Sequence, residues 1–315
     1  MSRHDKRDHG GNLDAAIAAF GGDRSSWLDL STGINPVPYP LPDIANGAWT
    51  ALPDAAATAA LLGAARQFWG VPEATGVLAV PGASSAIAQI PTLKPNADVW
   101  IPGPTYNEHA ASFAAAGWCI SSDTQGAASV VVHPNNPDGR LWNAAEIPPG
   151  FQIIDESFCD ICPEASLITQ TDKPDVLVLK SFGKFWGLAG LRLGFVIGDP
   201  ELLDEIARKL GPWPVSGPAQ TVGQHALMNV SWADDARRRL GRDAARLDER
   251  MLRAGATLVG GTNLFRLYEV DHAESWQSRL ARGKVWSRIF PYNDRWIRLG
   301  LPAPLRWAQL EAALT

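Results

Sequence analysis

Between residues 76 and 198 the chain repeats one pattern: a short apolar run rich in β-branched residues, then a polar or Gly-containing cluster. The runs lie at 76–80, 98–101, 129–133, 152–155, 176–180 and 193–197. None alternates apolar with polar, so each reads as a strand buried on both faces. Helix-like segments, such as 86–93, lie between runs. This predicts a parallel or mixed sheet covered by helices on both sides. Open sheets of this kind carry ligands at the C-terminal ends of their strands, which is where the polar clusters fall.

The flanks read differently. Residues 13–21 have helical spacing and stop at Gly21-Gly22, 27–31 reads as a strand, and prolines 36, 38, 40 and 42 mark an extended connector. Residues 54–70 are an Ala-rich helix that Asp54 can cap. Residues 200–210 and 218–255 are helical in pattern, split by Pro212-Trp213-Pro214. Runs at 257–259, 264–267, 285–288 and 296–300 read as strands of a smaller α+β unit, closed by a helix at 305–314. The expected organisation is an N-terminal arm (1–45) that belongs to the small domain, a large domain (46–220) and a C-terminal small domain (221–315). A chain of 315 residues suits two domains.

Composition removes several function classes. With 46% apolar and 19% charged residues the chain is globular rather than disordered. A net charge of −5 leaves no basic field for nucleic acid. No apolar stretch approaches ~20 residues, so no membrane span is expected. The start, MSRHDKRDHGGN, lacks the apolar core of a secretory signal. Three cysteines are too few for a disulfide framework, so a reducing compartment, the cytoplasm, is expected. Cys159 and Cys162 have the spacing of a zinc or redox pair, but no second pair or histidine pair follows, and no metal is expected.

The stretch that carries chemistry is Ser181-Phe182-Gly183-Lys184-Phe185-Trp186-Gly187, with Arg192 eight positions after the lysine. A lysine among small and aromatic residues is costly to bury unless paired or neutralised. Its amine becomes a useful nucleophile once deprotonated. Taken alone, the segment also suits a surface lysine in a Gly-rich loop. Upstream, His133-Pro134-Asn135-Asn136-Pro137-Asp138-Gly139 and Ile153-Ile154-Asp155-Glu156-Ser157-Phe158 each accompany the end of an apolar run. The ordered set N-P-x-G, D-x-x-aromatic and S-x-x-K followed by R resembles the fold-type I pyridoxal-phosphate (PLP) enzymes, the aspartate aminotransferase superfamily.

That resemblance implies an α/β fold: a PLP-dependent-transferase-like large domain with a mostly parallel seven-stranded sheet, plus a smaller α+β domain. It implies that Lys184 forms the Schiff base with PLP and later shuttles the proton at Cα. Asp155 pairs with the pyridine nitrogen, which keeps the ring an electron sink. Asn136 donates to the phenolic oxygen. Ser181 and Arg192 bind the phosphate, a role that suits a planar guanidinium. The backbone of Gly82-Ala83-Ser84, which follows a strand and opens a helix, cradles the same group. Tyr106 stacks on the ring. Relatives often hold a tyrosine where Phe158 stands, and Phe158 packs but cannot donate. They commonly carry R-Y-P-D where this chain reads Ala51-Leu52-Pro53-Asp54, and Leu52 has no hydroxyl for a cross-subunit phosphate contact. Both absences fit a chain with 13 Trp and only 4 Tyr.

His9-Gly10-Gly11-Asn12, followed by Leu30-Ser31-Thr32-Gly33-Ile34-Asn35-Pro36, narrows the resemblance to the L-threonine-O-3-phosphate decarboxylases of cobalamin biosynthesis, relatives of the histidinol-phosphate aminotransferases. It covers the whole chain in outline, including 212–216 and Trp296-Ile297-Arg298. The plainer reading of the first four residues is a Gly-rich start before a helix capped by Asn12. The resemblance implies that Arg298 grips the substrate α-carboxylate. It places His9, Gly33, Ile34, Asn35 and Arg288 around a small phosphorylated amino acid; for Arg288 a solvated strand arginine is an equal reading. His109 and His133 read as structural. A homodimer is implied, with active sites at the subunit interface and PLP at the domain junction. Two other readings stay open. One is an aminotransferase acting on a phosphorylated amino acid or amino alcohol such as histidinol phosphate. The other is a PLP-fold binding module without catalysis, against which intact Lys184, Asp155, Asn136 and Arg192 argue.

Overall fold

A computed structural model describes residues 9–315; the polar stretch 1–8 lies outside the described residues. The chain forms two compact units. One holds residues 38–237, and the other joins residues up to 37 with 238–315. The N-terminal segment supplies α1 (Leu13–Phe20) and a two-residue strand, β1 (Leu28–Asp29).

The larger unit opens with α2 (Asn46–Thr50) and α3 (Ala55–Trp69). Asp54 caps α3 by accepting from the Ala57 N–H at 2.8 Å. The strands are β2 (Gly76–Val80), β3 (Asp98–Trp100), β4 (Cys119–Ser121), β5 (Ala128–Val132), β6 (Phe151–Asp155), β7 (Val176–Ser181) and β8 (Gly194–Gly198). Among the described residues these form one seven-stranded sheet in the order β2-β8-β7-β6-β5-β3-β4. All neighbouring pairs from β7 to β4 are parallel, and β8 alone runs antiparallel to both of its neighbours. The expected mostly parallel sheet is present. Every residue of β5 and β8 is buried, as unbroken apolar runs demand of central strands. The edge strand β4 carries no such run, and its short, exposed Cys119-Ile120-Ser121 left no pattern to read.

Four helices complete this unit: α4 (Ala83–Gln89), α5 (Asn107–Ala115), α6 (Pro200–Leu210) and α7 (Gly217–Met228). The next helix, α8 (Val230–Arg253), passes from the larger unit into the smaller. The smaller unit then adds β9 (Thr257–Thr262), β10 (Phe265–Glu269), α9 (Ala273–Arg282), β11 (Val285–Trp286), β12 (Arg288–Phe290), β13 (Asn293–Gly300) and α10 (Trp307–Leu314). Its main sheet is antiparallel, in the order β12-β13-β10-β9, while β11 pairs in parallel with β1. Here Trp27 meets Trp286 and Phe20 edge to face, and Phe20 and Trp286 are tilted, all at 6.3–6.4 Å between ring centres.

Two local expectations need correction. The helix expected over 218–255 is two helices, broken at Asn229. Asn229 leaves helical geometry, and its Oδ1 accepts from the Trp232 N–H at 3.1 Å and the Ser231 hydroxyl at 3.0 Å. It thus caps α8, a competition with the helix that asparagine wins readily. Asn12, by contrast, precedes α1 without any side-chain cap bond. The two asparagines should therefore respond differently to substitution. Asn229→Ala costs about 1 kcal/mol in thermal unfolding, whereas Asn12→Ala stays within about 0.5 kcal/mol of the parent. Equal losses would contradict the cap assignment.

Candidate active site

The sheet places the chemistry. Strands β2, β3, β5, β6 and β7 share one direction, so their C-terminal ends lie at one sheet edge, and the antiparallel β8 begins there. Gly82, Ala83 and Ser84 follow β2, Tyr106 follows β3, and Asn136 follows β5. Asp155 ends β6 and Phe158 follows it, Ser181 ends β7, Lys184 lies three residues on, and Arg192 precedes β8. The larger unit thus gathers all ten residues assigned to the cofactor on one edge.

Asp155 is the buried centre of this edge. Its Oδ2 lies 2.8 Å from His109 Nε2, and both side chains are almost wholly enclosed. Its Oδ1 accepts from the Ser157 hydroxyl at 2.5 Å and the Ser157 N–H at 2.9 Å. Burial alone would push the Asp155 carboxyl up. The His109 bond and charge, with the two Ser157 bonds, outweigh burial and hold it below the ordinary carboxylate range. The sequence suggests only a structural role for His109, yet it is the partner that keeps this carboxylate ionised. The available signal is its place one helical turn after Tyr106, whose ring it meets edge-on at 6.0 Å.

A cradle of small and cationic groups stands beside it. Gly82 has φ +80°, and a Cβ there would come within 2.5 Å of Arg192 Nη2. Only glycine allows both that backbone and that approach. Arg192 reaches Ser84 Oγ at 3.1 Å through Nη2 and the Ala189 carbonyl at 3.1 Å through Nη1. Ser181 Oγ accepts from the Gly183 N–H at 3.2 Å. Lys184 is half-buried, with Nζ 5.2 Å from the centre of the buried Phe158 ring. Tyr106 and Asn136 are held by a neighbour the sequence did not single out. Asn135 accepts from the Thr105 hydroxyl at 2.6 Å and donates to the Pro104 carbonyl at 3.0 Å, tying the two loops together.

The deeply buried lysine is Lys180. Its Nζ lies 2.6 Å from Glu156 Oε2 and 3.7 Å from Asp160 Oδ1. Burial opposes its charge, but these two carboxylates prevail and push its pKa up. Glu156 also accepts from the Ser166 hydroxyl at 2.7 Å and the Leu167 N–H at 2.5 Å. His133, Glu156 and Cys159 lie close enough to hold a metal ion, but the donor set does not fit one. His133 Nδ1 accepts from the Trp142 N–H at 3.0 Å, and Nε2 binds the Ala165 carbonyl at 2.7 Å, so both ring nitrogens are used. The neighbouring Cys162 side chain, together with burial, pushes the Cys159 thiol well above the usual range. Cys159 is fully enclosed, and Cys162 is half-buried.

The six residues assigned to the substrate all lie on the smaller unit. Arg298 on β13 is 5% exposed and donates to the Ser31 carbonyl at 2.8 Å. Arg288 on β12 is its direct cross-strand partner. Asn35 is buried, and its Oδ1 accepts from the Val37 N–H at 3.0 Å and from Arg239 Nη2 at 2.6 Å. Arg239, in the arginine-rich stretch of α8, gave no sequence signal that set it apart from its neighbours. The Gly11 N–H donates to Ser31 Oγ at 2.7 Å, and a Cβ on Gly10 would strike the Ser31 carbonyl. These close approaches seat the segment that bears His9 against Ser31, two residues before Gly33 and Ile34.

The comparisons with known proteins agree with this geometry. The family model for aminotransferase class I and II matches residues 119–315. A threonine-phosphate decarboxylase of Sinorhizobium sp is 40% identical, over 93% of this chain and 92% of its own. One of Pseudomonas aeruginosa is 37% identical, over 98% and 97%. Among solved structures, histidinol-phosphate aminotransferase from Sinorhizobium meliloti in complex with pyridoxal-5'-phosphate shares the fold, with a TM-score of 0.79 at 18% identity over 100% of this chain and 97% of that one. L-threonine-O-3-phosphate decarboxylase from Porphyromonas gingivalis gives 0.72 at 18% identity, over 85% and 94%. The family, with a PLP-bound neighbour of the same fold, implies PLP as the cofactor. The seven-stranded sheet, the ordered motifs along its edge and the near-full-length relatives lead to one conclusion: the chain belongs to the class I and II aminotransferase family, on its threonine-phosphate decarboxylase branch.

Proposed function

We propose that this protein is a PLP-dependent lyase that converts L-threonine O-3-phosphate to (R)-1-amino-2-propanol O-2-phosphate, in cobalamin biosynthesis. The single observation that carries the substrate is the 37–40% identity to threonine-phosphate decarboxylases over nearly the whole chain. The residues present fit the cofactor. Gly82 opens a cradle that a Cβ would fill, and Asp155 offers a buried, ionised carboxylate.

Ser84, Ser181, Arg192 and the Ala83 backbone would hold the phosphate, Asp155 the ring nitrogen, and Asn136 the phenolic oxygen. Tyr106 would cover one face of the ring, and Phe158 would pack without donating. Lys184 would anchor the cofactor and move the proton at Cα. When bound, PLP supplies an electron sink for the pair released as a bond at Cα breaks. Arg298 would bind the substrate carboxylate bidentately, with His9, Gly33, Ile34, Asn35 and Arg288 forming the shell around the substrate and its phosphate. Arg288 and Arg298 stand directly opposite on adjacent strands, which supports assigning both to one anionic substrate. The grip of these arginines orients the substrate, and orientation selects between loss of carbon dioxide and proton movement alone.

The active form in this reading is a cytoplasmic homodimer with active sites at the subunit interface. The segment carrying Leu41, Trp49 and Leu52 exposes all three, and Met228 and Val230 stand exposed where α7 meets α8. This segment runs beside α7: the Tyr39 hydroxyl donates to the His225 carbonyl at 3.1 Å, and Gly217 abuts Ala48. Exposed apolar groups clustered in this way suit a partner surface. Among the described residues no helix is long and apolar enough to cross a membrane.

Two experiments test these assignments. The protein loaded with PLP releases carbon dioxide from threonine phosphate without a keto acid, and Lys184→Ala loses both turnover and the borohydride-sensitive visible band. Turnover that demands 2-oxoglutarate would assign an aminotransferase instead. His109→Leu removes the bond and charge that lower the Asp155 pKa while burial, which raises it, remains. The acid limb of the kcat/KM profile then moves to higher pH. By the same sign, stability from ionised Asp155 is complete above the unfolded carboxyl value and is lost as pH falls through the depressed folded one. An acid limb unmoved by the substitution contradicts the role given to His109.

A further inference from the structure

One buried carboxylate near the site has neither a cofactor nor a substrate to bind. Asp160 is 3% exposed and lies on the short turn after β6. Its Oδ1 accepts from Trp69 Nε1 at 2.8 Å, and its Oδ2 accepts from Trp186 Nε1 at 2.9 Å. Its backbone carbonyl accepts from Arg237 Nε at 2.8 Å.

Trp186 lies two residues after Lys184 and is wholly buried. It stacks on Phe182 at 5.2 Å and on Trp232 at 5.4 Å, with interplanar angles of 11° and 13°, and meets Phe185 edge-on at 5.2 Å. Phe182, Phe185 and Trp186 therefore clamp the turn on both sides of Lys184. The turn is closed by hydrogen bonds from the Gly187 N–H to the Lys184 carbonyl and from the Leu188 N–H to the Phe182 carbonyl, both 3.1 Å. A stacked ring pair tolerates sliding and rotation in its own plane. A hydrogen bond from the indole N–H removes that freedom, because it fixes one direction in the plane.

We infer that Asp160 is a positioning residue for Lys184: by holding the Trp186 indole in one orientation, it fixes the aromatic wall on which the lysine's turn rests. This rests on the assignment of Lys184 as the cofactor-linking lysine. The carboxylate form is required because it accepts at both oxygens, one for each indole. An asparagine accepts at one and turns an N–H toward the other.

Three single variants and one double variant test the inference in the full chain. Asp160→Asn keeps size but spoils one indole bond. Trp186→Phe keeps a ring in the stack without the N–H. Trp69→Phe removes the other indole bond, from α3, outside the lysine's turn. Each apoprotein is mixed with PLP and the growth of the borohydride-sensitive visible band is timed, with kcat and KM for threonine phosphate and thermal unfolding measured alongside. Asp160→Asn and Trp186→Phe slow band growth and lower kcat roughly tenfold with KM little changed. The double variant Asp160→Asn/Trp186→Phe is no slower than the slower single one. Trp69→Phe lowers the unfolding midpoint and keeps the parent rate of band growth. Parent-like rates in folded Asp160→Asn or Trp186→Phe, or multiplied losses in the double variant, overturn the inference. If Asp160→Asn does not fold, Trp186→Phe alone decides it. A parent protein without the band overturns the PLP assignment and this inference together; a parent with the band and variants that match it overturns this inference only.

Discussion

An ionised carboxylate cannot be left alone in an apolar interior; the penalty is several kcal/mol. Three acidic side chains, Asp155, Glu156 and Asp160, lie within six residues at the end of β6, and all are buried. His109 on α5 meets Asp155, Lys180 on β7 meets Glu156 and also lies 3.7 Å from Asp160, and Trp69 on α3 and Trp186 beyond β7 donate to Asp160. Satisfying the charges of one short segment therefore draws two helices, a strand and a turn to the same end of one strand. The site is organised around that electrostatic demand.

Strand direction does the rest in the larger unit. Parallel strands deliver their following loops to a common edge, so residues about 100 positions apart in the chain become neighbours. The one antiparallel strand is as useful as the others. Because β8 runs backwards, its beginning lies at that edge, and Arg192 reaches Ser84. In the smaller unit, antiparallel register places Arg288 opposite Arg298.

Much of this was legible in the residues. The unbroken apolar runs specified a buried, mostly parallel sheet, because strands covered on both faces have no solvent side to show as alternation. Ser181, Lys184 and Arg192 were legible through the ordered motifs that carry the family resemblance. What was hidden had no local pattern. Edge strand β4 is too short and exposed to leave an apolar run. The break at Asn229 depends on a cap bond that competes with a helix-compatible sequence. The partner of His109 was invisible because a histidine on a helix face looks alike whether it touches solvent, a backbone carbonyl or a carboxylate.

The tryptophans show the same division. Their abundance was visible as a number, but the use made of them was not. Trp69 and Trp186 turn their N–H groups onto one buried acid. By itself, the sequence determined the fold class, the order of the motifs and the residue types available for chemistry, because these depend on local periodicity and spacing. Only the tertiary structure decided which lysine is buried, which histidine partners Asp155 and which arginine orients Asn35. Those choices depend on which groups meet across the sheet and on how each buried charge is neutralised, and no contiguous stretch of chain contains that information.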